Sequence, residues 1–343
     1  MESSDVACPR LTDLPNPPAN KQGWPWTEES ATCPLPPGHD AQWPRITVIT
    51  PSFNQARYIE ETIRSVLLQR YPNLEYLVLD GGSTDGSVEI IKKYSRWIDF
   101  WISEPDGGQS AAINSGLKRG TGVYATWINS DDLLYKDALI RQTSEMARIG
   151  TGSADSVDVF SGICQYVDAE GKEISRHQSR IRTLEELVRI DRVWRADGHI
   201  VQPEVLFPRQ LALNVGGLDP DNHNAMDYEL WGRLLIAGAR FHYTQVPFAI
   251  FREQPEQKTQ DVLRQTQSLV NSAMKLVRQS PDFSESFKET LLAELNEFRT
   301  RYEDKHWRAS GRIARLGLPR DLVLWLRRLK GGRKRVPASE PRK

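Results

Sequence analysis

Residues 46–54 read ITVITPSFN, a run of β-favouring isoleucine, threonine and valine that a proline interrupts. The segment that follows, 58–69, carries its apolar residues at helical spacing. The same succession of strand and helix returns over residues 75–94 and 97–118, before a further extended run at 123–128. Strands that alternate with helices predict βαβ units and a parallel sheet covered on both faces. The predicted fold class is therefore α/β, with a Rossmann-like, mostly parallel sheet, helices on both faces and a helical C-terminal extension.

Four clusters of polar residues and glycines directly follow the predicted strands. They are 50–54 (TPSFN), 80–83 (DGGS), 104–107 (EPDG) and 129–132 (NSDD). In a parallel sheet, ligands bind at the carboxyl ends of the strands, near a switch in strand order. We therefore expect the four clusters to converge on one cleft, and residues 45–135 to form a nucleotide-binding half.

The adjacent carboxylates Asp131 and Asp132 are candidates for a metal site. Hard divalent cations prefer oxygen ligands and keep several waters, so a carboxylate here can hold Mg²⁺ or Mn²⁺ against a diphosphate. The alternative is a solvated turn in which these residues cap the next helix. Their position after an apolar strand in an α/β half favours the metal site.

Two glycine-containing segments favour close contacts between the backbone and a ligand. In 80–87 (DGGSTDGS), the glycines let the backbone pass close to a ligand and Asp80 can accept a hydrogen bond from a ribose or a base, while the same residues also form a tight turn. This segment matches neither the Walker phosphate loop nor the dinucleotide fingerprint. In 104–116 (EPDGGQSAAINSG), small residues at a helix start either let its amides approach a phosphate or let the helix pack closely on the sheet.

Asp227 is the candidate general base. It lies at the start of a predicted helix over 227–236, where the helix dipole favours an acidic residue whatever its function. If it faces the cleft, Asp227 takes a proton from an acceptor, with Trp231 one turn further on as a stacking wall. The spacing alone leaves both interpretations open.

These motifs, in this order and at this spacing, resemble the donor-binding half of family-two inverting glycosyltransferases, which have the A-type glycosyltransferase fold. The matching segments are 50–54, 80–86, 112–116 (AINSG) and 129–132, and a weaker similarity continues through 202–203 and 216–219 to 226–231. The resemblance covers residues 45–260 and leaves both ends of the chain outside it.

The resemblance implies that a sugar moves from a nucleoside-diphosphate sugar, with a UDP-sugar as the predicted donor, to an acceptor hydroxyl with inversion at the anomeric carbon. It implies that Pro51 and Asp80 line the nucleoside pocket and that Asp131 lies near the ribose. Asp132 is then the residue that holds Mg²⁺ or Mn²⁺ against the diphosphate, and Asp227 is the base.

Asp106 and Asn114 complete the predicted donor-binding set, because they follow the third strand and lie on the helix behind it. The acceptor implied is a saccharide or a lipid-linked saccharide. This predicts a hexosyltransferase of cell-surface polysaccharide or glycolipid synthesis.

Three positions depart from the usual pattern of the family. Many members have a second aspartate where this chain has Gly81, and a glutamate where it has Met226. Many also have a histidine after the last strand, where this chain has Gln254 or Glu253. The nucleobase and the full set of metal ligands therefore stay open at this point.

Composition and motifs weigh against other classes of protein. The 45 basic and 45 acidic residues give a net charge of zero, which argues against a generic nucleic-acid binder. A sugar-nucleotide pyrophosphorylase would carry a glycine-rich loop with a basic residue after the first strand, and residues 51–55 read PSFNQ. A catalytically degenerate domain that acts as a binding or adaptor protein is the remaining alternative. It predicts the loss of Asp132 or Asp227, and both are present.

The sequence divides the chain into four regions. Residues 1–44 contain nine of the 21 prolines and are predicted to form an extended arm, held to the body by Trp24, Trp26 and Trp43. The catalytic domain is predicted over 45–260, with residues 136–260 as its acceptor half. A helical region over 261–330, whose stripe of apolar side chains packs on the body, and a basic tail over 331–343 follow.

The C-terminal region raises the prospect of a membrane contact. Residues 322–326 read LVLWL, and eight basic residues and one acidic residue follow over 327–343. Such a segment binds an anionic membrane surface, or it is a packed helix with a solvated basic end. With no apolar run long enough to span a bilayer, no secretory signal pattern and three scattered cysteines, we expect a cytoplasmic protein, peripheral at the inner face of the membrane if the tail binds lipid.

Overall fold

The computed structural model describes residues 8–31, 42–149, 157–195, 198–254, 257 and 261–314. The strands are β1 (Ile46–Ser52), β2 (Leu74–Asp80), β3 (Phe100–Ser103), β4 (Tyr124–Trp127), β5 (Leu133–Leu134), β6 (Asp158–Val167), β7 (Glu173–Gln178), β8 (Val205–Pro208) and β9 (Arg240–Arg252). The helices are α1 (Ile59–Leu67), α2 (Ser87–Tyr94), α3 (Gln109–Arg119), α4 (Ala138–Ile149), α5 (Leu184–Val188), α6 (Ile190–Arg195), α7 (Arg209–Asn214), α8 (Met226–Ile236), α9 (Val262–Gln279) and α10 (Glu285–Ala314).

The sheet confirms the predicted α/β class. Its strands run in the order β3-β2-β1-β4-β8-β6-β9-β5, with β7 beside β6. The first four strands are parallel, as their alternation with helices predicted. Beyond β4 the sheet is mixed, because β8 runs antiparallel to both of its neighbours while β6 and β9 are parallel. Strands β8 and β9 were not predicted from the sequence, and they carry the sheet into the second half of the chain.

Of the parallel strands, β1 and β4 are buried throughout and β2 at every residue but its first, as in sheets covered on both faces. Every residue of β1 is buried, and α3 lies so close to it that a Cβ at Gly116 would come within 2.7 Å of the Ile49 side chain. This packing brings the start of α3 to the same edge of the sheet as the end of β1. In register, Ser52 pairs with Asp80, and Asp80 pairs with Ser103, so the ends of the first three strands are level.

The N-terminal arm packs on α1 through one buried arginine. The Arg64 side chain is fully buried and donates hydrogen bonds to the carbonyls of Pro15, Pro25 and Trp26. Trp26 is itself buried, and its ring lies 5.3 Å from the Arg64 guanidinium. The carbonyl groups of the arm thus satisfy the hydrogen-bond donors of a charged side chain that would otherwise be costly to bury.

The tryptophans of the arm make the contacts expected of them. Trp43 is buried in the main core, and Trp24 Nε1 donates a hydrogen bond of 2.9 Å to the Leu134 carbonyl. The arm is therefore tied to the body both at α1 and at β5.

The helical region divides into two helices, α9 and α10, separated by a short segment that contains Pro281. One compact unit ends at Leu295, so the first third of α10 belongs to it, and its Leu291 and Leu295 are buried there as the apolar stripe predicted. A second unit begins at Asn296, and the structure describes it as far as the end of α10 at Ala314. None of the helices in the described residues is long and apolar enough to cross a membrane. The apolar run 322–326 and the basic tail lie outside the described residues.

Candidate active site

A cavity of about 990 Å³ opens at the carboxyl ends of β1 to β4. Its opposite wall comes from residues 181–202, the start of α8 and the segment that follows β9. Four of the predicted site residues line it: Pro51, Asp106, Asp131 and Asp227. Three others do not: Asp80, Asn114 and Asp132.

Asp80 acts within its own loop instead of lining the nucleoside pocket. Its buried carboxylate accepts hydrogen bonds from the Ser83 backbone N–H (2.9 Å), the Ser83 hydroxyl (2.6 Å) and the Ser103 hydroxyl (2.7 Å). These bonds fold the loop so that Gly81 and Gly82, and not Asp80, face the cavity. Of the two roles foreseen for this segment, the structure shows the tight turn.

Asn114 likewise does not line the cavity, so its role in donor binding stays a prediction. Its side-chain amide pairs with the backbone of Leu218, donating to the carbonyl and accepting from the N–H, both at 2.8 Å. Gly217 fits beside it only because it has no side chain, since a Cβ there would lie 2.4 Å from Asn114 Oδ1. Asn114 therefore fastens the loop before α8 to α3.

The start of α3 faces the cavity. Gly108 precedes the helix with a φ of +94°, a conformation that favours glycine, and Gly108, Gln109 and Ala112 all line the cavity. The free backbone amides at a helix start attract anions. The close packing of Gly116 on β1 confirms one of the two roles foreseen for this segment, and the approach of the helix start to a phosphate stays a prediction.

The two adjacent aspartates have different surroundings, and the assignment of the metal to Asp132 stays a prediction. Asp132 is fully buried, with Oδ1 accepting from the Arg252 backbone N–H at 3.0 Å and Oδ2 accepting from Asn129 Nδ2 at 3.2 Å. Burial and the neighbouring Asp131 raise the pKa of Asp132 well above its ordinary value. The Asp132 carboxylate, buried and hydrogen-bonded in this way, does not line the cavity. Asp131 is the one that lines the cavity.

The segment after β9 covers Asp131. Gln254 Nε2 donates a hydrogen bond of 2.5 Å to Asp131 Oδ2, and Gln257 Nε2 lies 3.4 Å from the same oxygen. The side chain of Glu253 is exposed. Of the two residues considered at this position, Gln254 is therefore the one that reaches the carboxylate.

The side chains at this edge suit a cation whose ligands are mostly water molecules and substrate phosphates. Across the described residues, no group of three or more histidine, cysteine, aspartate or glutamate side chains could enclose a metal ion. Mg²⁺ is usually bound by one or two carboxylates together with substrate phosphates and waters. Asp131 at the cavity wall fits that mode of binding, whereas a cation cage made only of protein ligands does not fit.

Asp227 lies in the first turn of α8 and is half-buried in the cavity wall. Burial raises its pKa above the ordinary aspartate value, and hydrogen bonds from the backbone of Tyr228 and of Asp227 itself oppose that rise. A carboxylate with a raised pKa is a stronger proton acceptor. Its position in the first turn suits the helix dipole, but its access to the cavity also suits a base.

Two stacked tryptophans form the floor next to Asp227. Trp127 at the end of β4 and Trp231 in α8 both line the cavity, with ring centroids 5.6 Å apart and planes at 18°. Phe207 of β8 packs edge-on against both rings. Trp231 therefore lines the site as predicted, and its stacking partner is Trp127.

An ion-pair network around the buried Glu229 fixes α8. Glu229 accepts hydrogen bonds from Lys275 Nζ of α9 at 2.6 Å and from Asn222 Nδ2 at 2.9 Å. Lys275 also pairs with Asp219 at 3.0 Å, and Asn222 Oδ1 accepts from the backbone N–H of Ala225, the residue before α8. The network sets where the first turn of α8, with Asp227, meets the cavity.

The sequence analysis assigned no role to a row of amides across the cavity. Gln109 Nε2 donates to Asn129 Oδ1 at 2.7 Å, Asn129 Nδ2 contacts Gln202 Oε1 at 3.2 Å, and Gln202 Nε2 donates to the Trp127 carbonyl at 2.6 Å. All four residues line the cavity, and so does His199. Asn129 and Gln202 lie in motifs that the sequence showed, but single amides give no sequence signal for a shared network.

Comparisons with known proteins match the part of the chain that contains β1 to β4. A family model described as glycosyl transferase family 2 matches residues 47–201. The putative teichuronic acid biosynthesis glycosyltransferase TuaG of Bacillus subtilis (strain 168) is 40% identical over 107 residues, which cover 30% of this chain and 42% of TuaG.

Solved structures share the fold. S. aureus TarS 1-349 in complex with UDP-GlcNAc matches with a TM-score of 0.56 at 18% identity, over 73% of this chain and 71% of that one. The mannosyltransferase PcManGT from Pyrobaculum calidifontis, in complex with GDP-Man and Mn²⁺, matches with a TM-score of 0.50 at 20% identity, over 83% and 84%. This chain spans 31%, 42% and 59% of the lengths of three curated relatives, so those matches concern a domain and not whole proteins.

Proposed function

Residues 47–201 of this chain belong to glycosyltransferase family 2, and from this premise we propose that the protein transfers a sugar from a nucleoside-diphosphate sugar to an acceptor hydroxyl, with inversion at the anomeric carbon. The observation that carries the proposal is that Asp131, at the end of β4, and Asp227, at the start of α8, line one cavity. A site for the leaving diphosphate and a base for the acceptor are thereby available in the same space.

In the proposed reaction, Asp227 accepts the proton of the acceptor hydroxyl as the oxygen forms its bond to the anomeric carbon. The bond from that carbon to the diphosphate oxygen breaks in the same displacement, and its electron pair leaves with the diphosphate. Because the acceptor attacks from the face opposite to the leaving group, the configuration inverts. Asp227 needs to be ionised before each turnover.

Asp131 is the proposed ligand of Mg²⁺ or Mn²⁺, in place of the predicted Asp132. A divalent cation bound there supplies positive charge that neutralises the charge developing on the leaving diphosphate. The start of α3, with Gly108 and Gln109 at the cavity wall, adds backbone dipoles of the same sign. The cation is the cofactor of the proposed reaction, and its requirement is tested below.

The proposed donor is a UDP-sugar and the proposed acceptor is a saccharide or a lipid-linked saccharide. The TarS structure contains UDP-GlcNAc, whereas the archaeal mannosyltransferase contains GDP-Man, so the nucleobase is the first property to measure. TuaG is named as a putative glycosyltransferase of teichuronic acid biosynthesis, which supports a role in cell-surface polysaccharide synthesis. We also propose that the enzyme acts at the cytoplasmic face of the membrane and contacts the membrane through its basic tail.

A panel of UDP-, GDP-, dTDP- and CMP-sugars tests the function. The purified protein is incubated with each donor and with Mg²⁺, Mn²⁺ or EDTA, and slow hydrolysis of the donor and thermal stabilisation are measured. We expect one nucleotide class to stabilise the protein and to be hydrolysed only with a divalent cation. Absence of binding and hydrolysis for every donor would overturn the proposal, and activity in EDTA would remove the metal from it.

A further inference from the structure

Asp106 is the charged side chain in one corner of the cavity. Among the described residues that line the cavity at the ends of β1, β2 and β3, Asp106 alone is ionisable, and the others are prolines, glycines, Ser52, Phe53 and Gln55. A lone carboxylate without a cation repels phosphate and attracts hydrogen-bond donors. This corner therefore suits an uncharged part of a ligand that carries O–H or N–H groups.

The Asp106 carboxylate is held in place over the backbone of Gly81. Its Oδ1 accepts a hydrogen bond of 2.7 Å from the Gly108 backbone N–H, just before α3. A Cβ at position 81 would lie 3.2 Å from Asp106 Oδ1 and 3.4 Å from Oδ2. The first separation is tighter than an ordinary contact and the second is at its lower limit, so a side chain at position 81 would shift the carboxylate by a few tenths of an ångström. Gly81 and Asp106 thus form a matched pair on two neighbouring loops.

We propose that Asp106 determines recognition of the nucleoside, and that Gly81 is glycine because the Asp106 carboxylate occupies the space next to it. The carboxylate accepts a hydrogen bond from a ribose hydroxyl or from a base N–H of the nucleoside diphosphate. This inference rests on the proposed function. It orients the donor, with the nucleoside at the β2 and β3 loops and the diphosphate toward Asp131.

The proposal also explains a difference between two carboxylates of the site. Asp80 follows β2 directly, but its oxygens bind Ser83 and Ser103 and the residue does not line the cavity. Asp106 comes from the neighbouring loop and does line the cavity. The carboxylate available to a nucleoside is therefore supplied by the loop after β3, in which the sequence predicted a donor-binding residue, and not by the residue that directly follows β2.

Binding of UDP and GDP in the presence of Mg²⁺, measured by calorimetry, tests the proposal. We expect Asp106→Ala to weaken the preferred nucleotide about 10-fold or more, the usual effect of losing a hydrogen bond to a charged group. Asp106→Asn keeps the contact with Gly108 and should weaken binding less. Inorganic pyrophosphate with Mg²⁺ should bind all variants equally. Glu104→Gln is the matched control, because Glu104 is exposed in the same loop and does not line the cavity.

The 2′-deoxy nucleotides dUDP and dGDP locate the hydrogen-bond donor. If Asp106→Ala weakens the ribonucleotide but not its deoxy form, the partner is the 2′-hydroxyl, and if it weakens both, the partner is the base or another ribose hydroxyl. Either result supports the proposal. Equal binding by wild type and Asp106→Ala would overturn it, whereas failure of the wild type to bind any nucleotide would overturn the proposed function instead.

Gly81→Ala tests the matched pair. The added methyl group should displace the carboxylate and weaken nucleotide binding in the wild-type background. In the Asp106→Ala background the same change should have little further effect, because the group that it displaces is gone. Additive losses in the double variant would show that Gly81 acts independently of Asp106, and would overturn that part of the proposal.

Discussion

The backbone N–H of Arg252, the last residue of β9, donates a hydrogen bond of 3.0 Å to the Asp132 carboxylate. This bond joins residues 120 positions apart and is fully buried. The Arg252 side chain adds a bond of 3.1 Å from Nε to the Asp131 carbonyl. Arg252 therefore holds the turn after β4 from two sides, and Asp131 is left facing the cavity.

The two aspartates should respond differently to substitution. Asp131→Asn should abolish the Mg²⁺ or Mn²⁺ dependence of nucleotide binding with little change in stability, because the side chain lies at the cavity wall. Asp132→Ala should lower the free energy of unfolding by about 1–3 kcal/mol, since it leaves the buried Arg252 N–H without a partner. Calorimetry with UDP and the metal, together with urea unfolding, separates the two effects. A metal response that survives in Asp131→Asn and disappears in a folded Asp132 variant would restore the original prediction.

Asp227→Asn should leave donor binding intact while transfer falls by orders of magnitude, because the amide cannot accept the proton. In the wild type, kcat/KM should fall as the pH drops through the pKa of Asp227, which burial raises above the ordinary aspartate value. The acid limb of the pH profile should therefore lie above that value, and it should vanish from the residual rate of Asp227→Asn. An equal loss of donor binding and transfer would identify Asp227 as a structural residue of the helix start.

Glu204 should make stability depend on pH. It is fully buried, Ser161 and Ser179 donate to its Oε1, and burial raises its pKa to about 8. Because the folded pKa lies above the unfolded value of 4.5, the protonated form stabilises the fold at low pH. The contribution is lost as the pH rises, by about 1.4 kcal/mol for each pH unit between the two values.

Urea unfolding of the wild type and Glu204→Gln from pH 5 to 9 measures this contribution. Glutamine does not titrate. The free energy of unfolding of the wild type, relative to that of Glu204→Gln, should therefore decrease as the pH rises. Parallel curves over the whole range would show that Glu204 is ionised throughout in the folded protein.

Arg64 should fasten the N-terminal arm. Arg64→Ala leaves three arm carbonyls and the Tyr94 hydroxyl without a donor, and we expect a loss of about 3 kcal/mol or more. Trypsin should then cleave faster after Arg10 and Lys21, the basic residues of the arm. Arg57→Ala is the control, since the Arg57 side chain is 63% exposed. Unchanged cleavage in Arg64→Ala would show that the other contacts of the arm, such as the Arg70–Glu29 and Lys136–Glu28 ion pairs, are enough to hold it.

The local sequence was enough to predict the parallel half of the sheet. The strands at 46–52 and 74–80 are short, the first is β-branched and the second is mostly apolar, the helix between them has a clear apolar period, and glycine and proline lie at the strand ends. These are local properties, so they do not depend on distant contacts. The strands β8 and β9 were missed because their places in the sheet depend on pairing with β4 and β6, which are far away in the sequence.

By itself, the sequence determined the class of the fold, the order of the motifs and the set of residues from which a donor site could be built. The tertiary structure decided which of those residues face the cavity. The side chains of Asp131 and Asp132 are neighbours in the chain, yet one lines the cavity and the other is buried, because β9 packs beside the turn that carries them. The Asn114 side chain likewise bonds to the backbone of Leu218 and does not line the cavity. The direction of a side chain at the end of a strand depends on long-range hydrogen bonds, and no local pattern encodes them.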